Sequence, residues 1–316
     1  MQVCLGRQSL TAMVLAVSAS SITAAMSTTC SAYQSRISQV ASAIEPRILA
    51  STRGSGNHGE SGKASFYTID KLPSALTTRM SLDDDDNDNG SLHRVDIDLG
   101  PDRLAFYIDN VLTHEEADAL AACAESILEH NGHSRLAPGI QTPPGMRINE
   151  AAHWFPSREE APLFLGKIFQ RIQALVPPTL DGMPLYEELS EKIAQFKYNQ
   201  GDEFKRHVDG LFPGQGVNAS GDGVDEWTGV VSGMSMLFYL NDYTTDGLMG
   251  GETRLWSADG RQYKDITPVK GRVLFFRRGS PDAVLHAGLA VTGQIPKYMA
   301  LINLAYGTRT GTGSLY

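Results

Sequence analysis

Apolar and polar positions along this chain follow two different periods, and the change between them divides it. After Thr113 the residues Ala117, Leu120, Ala121, Ala124, Ile127 and Leu128 recur at helical spacing until Asn131-Gly132 ends the run. Thr113 and Glu116 stand three apart ahead of that run, as a capping box requires. A second such pair, Ser157 and Glu160, precedes Leu165, Ile168, Phe169, Ile172 and Leu175, which face one way before Pro177-Pro178. From Gln195 onward the period falls to two. Met234, Met236, Phe238 and Leu240 alternate with Ser235, Leu237 and Tyr239, and RVLFF is a short apolar run between Gly271 and Gly279. RLAFYID, near the start of the first helix, reads as one more strand. Many short strands with Gly- and Pro-rich turns, braced by two helices, predict a mainly β fold, an antiparallel sandwich or barrel.

The first hundred residues fit that pattern poorly. Residues 1–44 contain no Asp or Glu, and the apolar run Leu10 to Val17 is too short to span a bilayer. Residues 1–45 therefore read as a leader, either a secretory signal or an organellar transit peptide, with a tail of no targeting role as the alternative. Residues 46–99 read as a disordered linker, because they hold STRGSGNHGESGKAS and the acidic run Asp83 to Asp86. The folded domain is then expected over residues 100–310.

Charge and cysteine content narrow the possibilities. A formal net charge of -9 argues against a nucleic-acid backbone as partner. Of three Cys, two (Cys4 and Cys30) fall in the expected leader, so only Cys123 is left for the domain. Neither an internal disulfide nor a CxxC zinc site follows.

The chemistry concentrates in QFKYNQGDEFKRHVDG, residues 195–210. At the end of a strand-like segment His207 and Asp209 lie two apart, so an imidazole and a carboxylate point to the same side. His286, in VLHAGLAV, closes another apolar run. His58, His93, His114, His130, His133 and His153 all precede this half of the chain, leaving His207 and His286 as its only imidazoles. Two His and one carboxylate, with positions left open, is the donor set of non-haem Fe(II) oxygenases. A surface His207 and a core His286 is the bland alternative.

Tyr198, Gly201, Phe204, His207 and Asp209 resemble the Y-x-x-G-x-x-F/Y-x-x-H-x-D signature of the prolyl 4-hydroxylase-type 2-oxoglutarate/Fe(II) dioxygenases. MSMLFYLND, GGETRLW, ITPVKGRVLFF and VLHAGLAVTGQIPKY follow in the order that family shows. The resemblance implies a double-stranded β-helix, the jelly-roll or cupin-like core, with flanking helices. It further implies His207, Asp209 and His286 as catalytic metal ligands for Fe(II), with 2-oxoglutarate and dioxygen as co-substrates and ascorbate as an auxiliary reductant. In that family 2-oxoglutarate is decarboxylated to succinate and carbon dioxide while an aliphatic C–H is hydroxylated. Peptidyl proline is then the leading substrate; a small molecule on the same core, or a non-catalytic binding module, are the alternatives.

Two residues are expected to hold the distal carboxylate of 2-oxoglutarate. Lys297 follows His286 by one position more than the family usually shows, and no other Lys or Arg lies between residues 279 and 308. Tyr198 is the second. Alternation places Met299, Leu301, Asn303 and Ala305 on the face of Lys297, and Asn303 stands where prolyl hydroxylases often have Trp. Arg147 and Asn149 match an upstream Arg or Asn seen at the entrance of such sites, although a surface turn explains them equally well. Gly210 to Gly233, long and Gly-rich, reads as a lid over the substrate, anchored by Leu211, Phe212 and Trp227.

Overall fold

The structure, a computed structural model, describes residues 31–52, 64–78, 91–134 and 145–314. Its helices are α1 (residues 31–41), α2 (Ser74–Thr77), α3 (His114–His130), α4 (Ala161–Ile172) and α5 (Tyr243–Asp246). The strands, in chain order, are β1 (Pro46–Thr52), β2 (Ala64–Ile69), β3 (His93–Asp96), β4 (Ala105–Asp109), β5 (Glu150–Pro156), β6 (Thr179–Leu180), β7 (Met183–Pro184), β8 (Ile193–Tyr198), β9 (Phe204–His207), β10 (Pro213–Val217), β11 (Val224–Tyr239), β12 (Thr253–Trp256), β13 (Tyr263–Ile266), β14 (Val273–Arg277), β15 (His286–Gly288) and β16 (Lys297–Ser314).

A large sheet runs β1-β2-β5-β8-β16-β11-β14-β4-β3, with β10 added alongside β11, and a smaller one runs β13-β12-β15-β9. Every pairing is antiparallel except β2 with β5. The two sheets share one apolar cluster, in which Phe196, Leu237, Leu274 and Met299 of the large sheet meet Leu255 and Ile266 of the small one. This is the jelly-roll that the resemblance implies. No helix among the described residues is long and apolar enough to cross a membrane.

Both faces of the large sheet are buried, which is why its central strands are apolar almost throughout. On β11, Met234, Met236 and Phe238 join the helix-side core, while Leu237 and Tyr239 turn into the sandwich. On β16, Tyr298, Ala300, Ile302 and Leu304 pack with the helices. Helix α3 supplies most of that outer layer, burying Leu120, Ala121, Ala124, Ile127 and Leu128 completely. Its start is the expected capping box: Glu116 N donates to Thr113 Oγ1 at 3.0 Å, and Thr113 N donates to Glu116 Oε2 at 2.9 Å. The second expected box forms only half. Glu160 N reaches Ser157 Oγ at 3.4 Å, but the Glu160 carboxylate accepts from Leu72 N instead.

Ordered elements lie within the segments expected to be leader and linker. Helix α1, inside the segment expected to be leader, buries Tyr33, Ile37 and Ala41 in the helix-side core, and Ser126 of α3 donates to the carbonyl of Ile44. Strands β1 and β2, inside the expected linker, extend the large sheet, and Phe66, Tyr67 and Ile69 are buried. The Ser- and Gly-rich composition misled because these pieces draw their order from surfaces made elsewhere in the chain. Residues 1–30 and the acidic run lie outside the described residues.

Gly210 to Gly233 is also not an open loop. Residues 213–217 and the first part of β11 form a paired hairpin. Gly214 and Gly216 alternate on the face covered by Trp227, where a Cβ would lie 2.4 Å and 3.1 Å from the indole. The glycines make room for a ring that is 3% exposed, so they read as flexibility although they serve packing. Only Gly210 and Phe212 of this segment reach the cavity described next.

Candidate active site

His207 ends β9 and His286 begins β15, and the two are register partners in the small sheet. Backbone pairing thus brings together imidazoles separated by most of the domain's β structure. Asp209 follows two residues after His207, where Gly279 N holds its carbonyl at 3.0 Å. The ligand atoms of the three side chains all lie within 4.8 Å of one another. Asp209 Oδ1 is 3.8 Å from His207 Nε2 and 3.9 Å from His286 Nε2.

The tautomers are set from behind. His207 Nδ1 donates to the Lys205 carbonyl at 2.6 Å, and His286 Nδ1 donates to the Val284 carbonyl at 3.0 Å. Each ring therefore offers the lone pair of Nε2 toward Asp209, as a metal-binding imidazole must. Burial pushes the His207 imidazole down to about 4, with His286 adding to the effect, so it is neutral at pH 7. For Asp209 burial acts in the opposite sense, raising the carboxyl, but Arg278, the two imidazoles and Ser235 outweigh it and hold the group at about 2. Ser235 Oγ donates to Asp209 Oδ2 at 2.5 Å, which leaves Oδ1 facing the imidazoles. Two imidazole nitrogens and one ionised carboxylate oxygen, directed at one point beside a cavity, fit a divalent Fe.

The triad stands in a cavity between the sheets. Its floor is Ala194, Phe196, Leu237, Met299 and Leu301, and its polar lining includes Arg147, His153, Lys192, Arg278 and Asn303. Residues 193–305, which span this floor and His207, Asp209 and His286, match the family model of the 2OG-Fe(II) oxygenase superfamily. This part of the chain is a 2OG-Fe(II) oxygenase domain. Among solved structures, the chain is similar to a prolyl-4-hydroxylase from Pseudomonas putida, at 19% identity and a TM-score of 0.40, covering 66% of this chain and 93% of that one. It is also similar to a prolyl hydroxylase from Trichoplax adhaerens in complex with a hypoxia inducible factor peptide fragment, at 18% identity and a TM-score of 0.37, over 59% and 78%. A third is the non-heme alpha ketoglutarate dependent carbocyclase SnoK from nogalamycin biosynthesis, at 14% and 0.39, over 66% and 81%. No curated protein matches the chain in sequence.

Within the oxygenase domain, Lys297 and Tyr198 are direct register partners on β16 and β8. Lys297 is fully buried, on the same face of β16 as Met299 and Leu301. Its ammonium donates to the Gly251 carbonyl and lies 5.0 Å from the Tyr198 ring centroid and 5.7 Å from that of Tyr239. Burial, opposed by Glu252, brings it down to about 7. Gly251, at φ 75°, has to be glycine, since a Cβ there would lie 2.9 Å from Lys297 Cδ. Tyr198 lines the cavity, whereas Lys297 is not one of the residues that line it. The expected alternation on β16 is present: Met299, Leu301 and Asn303 line the cavity, and Ala305 continues the row against Trp227.

Arg147 is a cavity residue and not a surface one, with its guanidinium 5.7 Å from the Phe204 ring centroid. Asn149 is fully buried and donates to the Glu150 carbonyl, away from the lining. Three functional positions are missed by sequence reasoning. Arg278, 3% exposed, donates from Nη1 to Ser235 Oγ and Asn303 Oδ1, each at 2.8 Å, and from Nε to the Gly210 carbonyl at 2.9 Å. It thereby ties Asp209, β11 and β16 together, and it gives Asn303 a partner that Trp could not. A signal existed in RVLFFRRGS, where alternation turns one of the two arginines inward. Lys192 and His153 are the other two. His153 was legible in EAAHWFP, an imidazole in an otherwise apolar run.

Proposed function

We propose that this chain is an Fe(II)/2-oxoglutarate-dependent dioxygenase that hydroxylates an aliphatic C–H. The convergence of His207 Nε2, His286 Nε2 and Asp209 Oδ1 beside an apolar cavity carries the reading. His207, Asp209 and His286 would hold Fe(II), which would use dioxygen as the oxidant, one oxygen atom going to 2-oxoglutarate as it is decarboxylated to succinate and carbon dioxide and the other to the hydroxylated C–H. The chain's own residues position and exclude. The Lys205 and Val284 carbonyls hold the imidazole rings in place, and Ser235 with Arg278 holds the carboxylate ionised. Lys297, with Tyr198 above it, is the cation proposed for the distal carboxylate of 2-oxoglutarate, and Gly251 is its resting partner. Apolar walls of Phe196, Phe204, Leu237 and Met299 keep water from the reacting carbon.

Peptidyl proline is a proposed prime substrate, supported by the Tyr198 to Asp209 signature. Asn303, in place of a bulky indole, leaves room for a different contact, so a small-molecule hydroxylase is the second reading. Succinate release measured with Fe(II), 2-oxoglutarate and ascorbate, with and without proline-containing peptides and small apolar acids, tests both. Succinate formation that no prime substrate stimulates and that survives removal of Fe(II) would refute the proposal.

A further inference from the structure

One wall of the cavity carries polar groups that neither the triad nor the co-substrate explains. His153, in the middle of β5, is 2% exposed, and neither of its ring nitrogens has a hydrogen-bond partner among the described residues. Its register partner is Ala194, whose partner in turn is Leu301. Both partners are floor residues, so the imidazole faces the same cavity. Buried polar groups are nearly always hydrogen-bonded, and one aimed into a cavity finds its partner on a ligand. Burial, with Lys192 and Arg147 nearby, keeps the ring neutral, so it offers one donor and one acceptor.

Lys192 stands two residues before Ala194 and lines the cavity on the same side. Its ammonium lies 5.0 Å from the Phe212 ring centroid, and among the described residues it makes no salt bridge, Glu226 being the carboxylate that acts on it from farther away. Glu191, its neighbour in the chain, turns the other way and accepts from Val217 N. Arg278 lies 5.5 Å from the same ring centroid. The lining thus holds Lys192 and Arg278, with Arg147 as a third cation, against Asp209, which is already a ligand of the proposed metal. Because the two carboxylates of 2-oxoglutarate balance the charge of Fe(II), binding both leaves this excess in place.

We propose that Lys192 and His153 form a subsite for a carboxylate carried by the prime substrate, which makes the enzyme selective for acidic molecules with an apolar body. This rests on the oxygenase reading of the same cavity and adds its substrate class. Register gives the span. Asn303 pairs with Ser235, which binds Asp209, and Lys192 extends β8 on the other side of β16, two strand spacings from β11. The carboxylate would sit roughly 10 Å from the reacting carbon, with Ala194, Met299 and Leu301 beneath the apolar part between them. Val208, half-exposed, adds apolar surface to the cavity lining. A free amphipathic acid, or an Asp or Glu side chain near the target residue of a peptide, would supply the same group.

Calorimetric titration of the full chain loaded with Mn(II) and 2-oxoglutarate separates these sources without turnover. The probes are octanoate against octanamide, and a proline-containing peptide carrying Glu against the same peptide carrying Gln. In at least one pair the acid is expected to bind ten-fold or more tightly than its amide. Lys192→Met should reduce that ratio to near one, Lys192→Arg should retain most of it, and His153→Phe should weaken acid binding several-fold with the fold kept by a similar ring. Acid and amide binding equally in both pairs, or a preference that survives Lys192→Met, would overturn the subsite. A parallel loss of 2-oxoglutarate affinity in Lys192→Met would do the same, by moving the lysine to the co-substrate. Failure of the oxygenase reading shows differently: Mn(II) affinity would then be the same in wild type and in His286→Ala.

Discussion

Replacing Arg278 by Met tests the electrostatic logic of the site in a single measurement. The guanidinium is buried, and it offsets the cost of keeping Asp209 ionised inside the sandwich. With it, the Asp209 carboxyl sits at about 2 against an ordinary 3.8, a depression worth about 2.5 kcal/mol at 1.36 kcal/mol per unit. Loss of the hydrogen bonds to the Gly210 carbonyl and Asn303 Oδ1 adds about 1 kcal/mol each. The total of roughly 3 to 5 kcal/mol matches what breaking one side of a buried pair usually costs. The sign with pH follows from the depressed folded pKa: the carboxylate's contribution is complete above about pH 4 and is lost as pH falls through 2. Urea unfolding of wild type and Arg278→Met should therefore differ by about 3 to 5 kcal/mol at pH 7 and by roughly 2 kcal/mol less near pH 2. A difference below about 1 kcal/mol at pH 7, or one that does not shrink in acid, would refute the role given to Arg278.

Other outcomes follow from the same geometry. His207→Ala and His286→Ala should each abolish Fe(II)-dependent succinate release while leaving thermal unfolding nearly unchanged, because an open site contributes little to folding, whereas Asp209→Ala should abolish it and also lower stability by leaving buried Arg278 without its carboxylate; full activity in any one would break the triad. Ser235→Ala removes the 2.5 Å hydrogen bond to Asp209 and should weaken Mn(II) binding about 10- to 100-fold, read by metal titration. Lys297, lowered to about 7 by burial, is charged below that pH, so the apparent affinity for 2-oxoglutarate should fall by up to about ten-fold per pH unit above it; a Kd flat from pH 6 to 9 would assign the carboxylate to another group. Ile37→Ala should cost about 2 to 4 kcal/mol in urea unfolding, since Ile37 is 2% exposed in the core; no loss would return residues 31–44 to a dispensable leader.

The sequence by itself determined the elements whose order is local. Helix α3 is written in its capping box and apolar stripe, and β11 in an alternation that survives because both of its faces are buried. The three residues proposed to hold the metal were brought to notice for the same reason: His207 and Asp209 share a side through the two-residue period of a strand, and His286 was the only other imidazole in that half of the chain. Tertiary structure decided what depends on partners distant in sequence. Tyr33 and Ile37 belong to the core only because α3 presents a surface to receive them, and β2 is a strand because β5 offers it an edge. Gly214 and Gly216 look like flexibility until Trp227 lies across them. The charges of the cavity were decided the same way: Arg278 acquires its role from Asp209, Ser235 and Asn303 on three separate segments, and Lys192 and His153 meet only through the pairing of β5 with β8. A strand's own pattern says which side each residue takes, but the register between strands says what it meets there, and that is set by packing the whole sandwich at once.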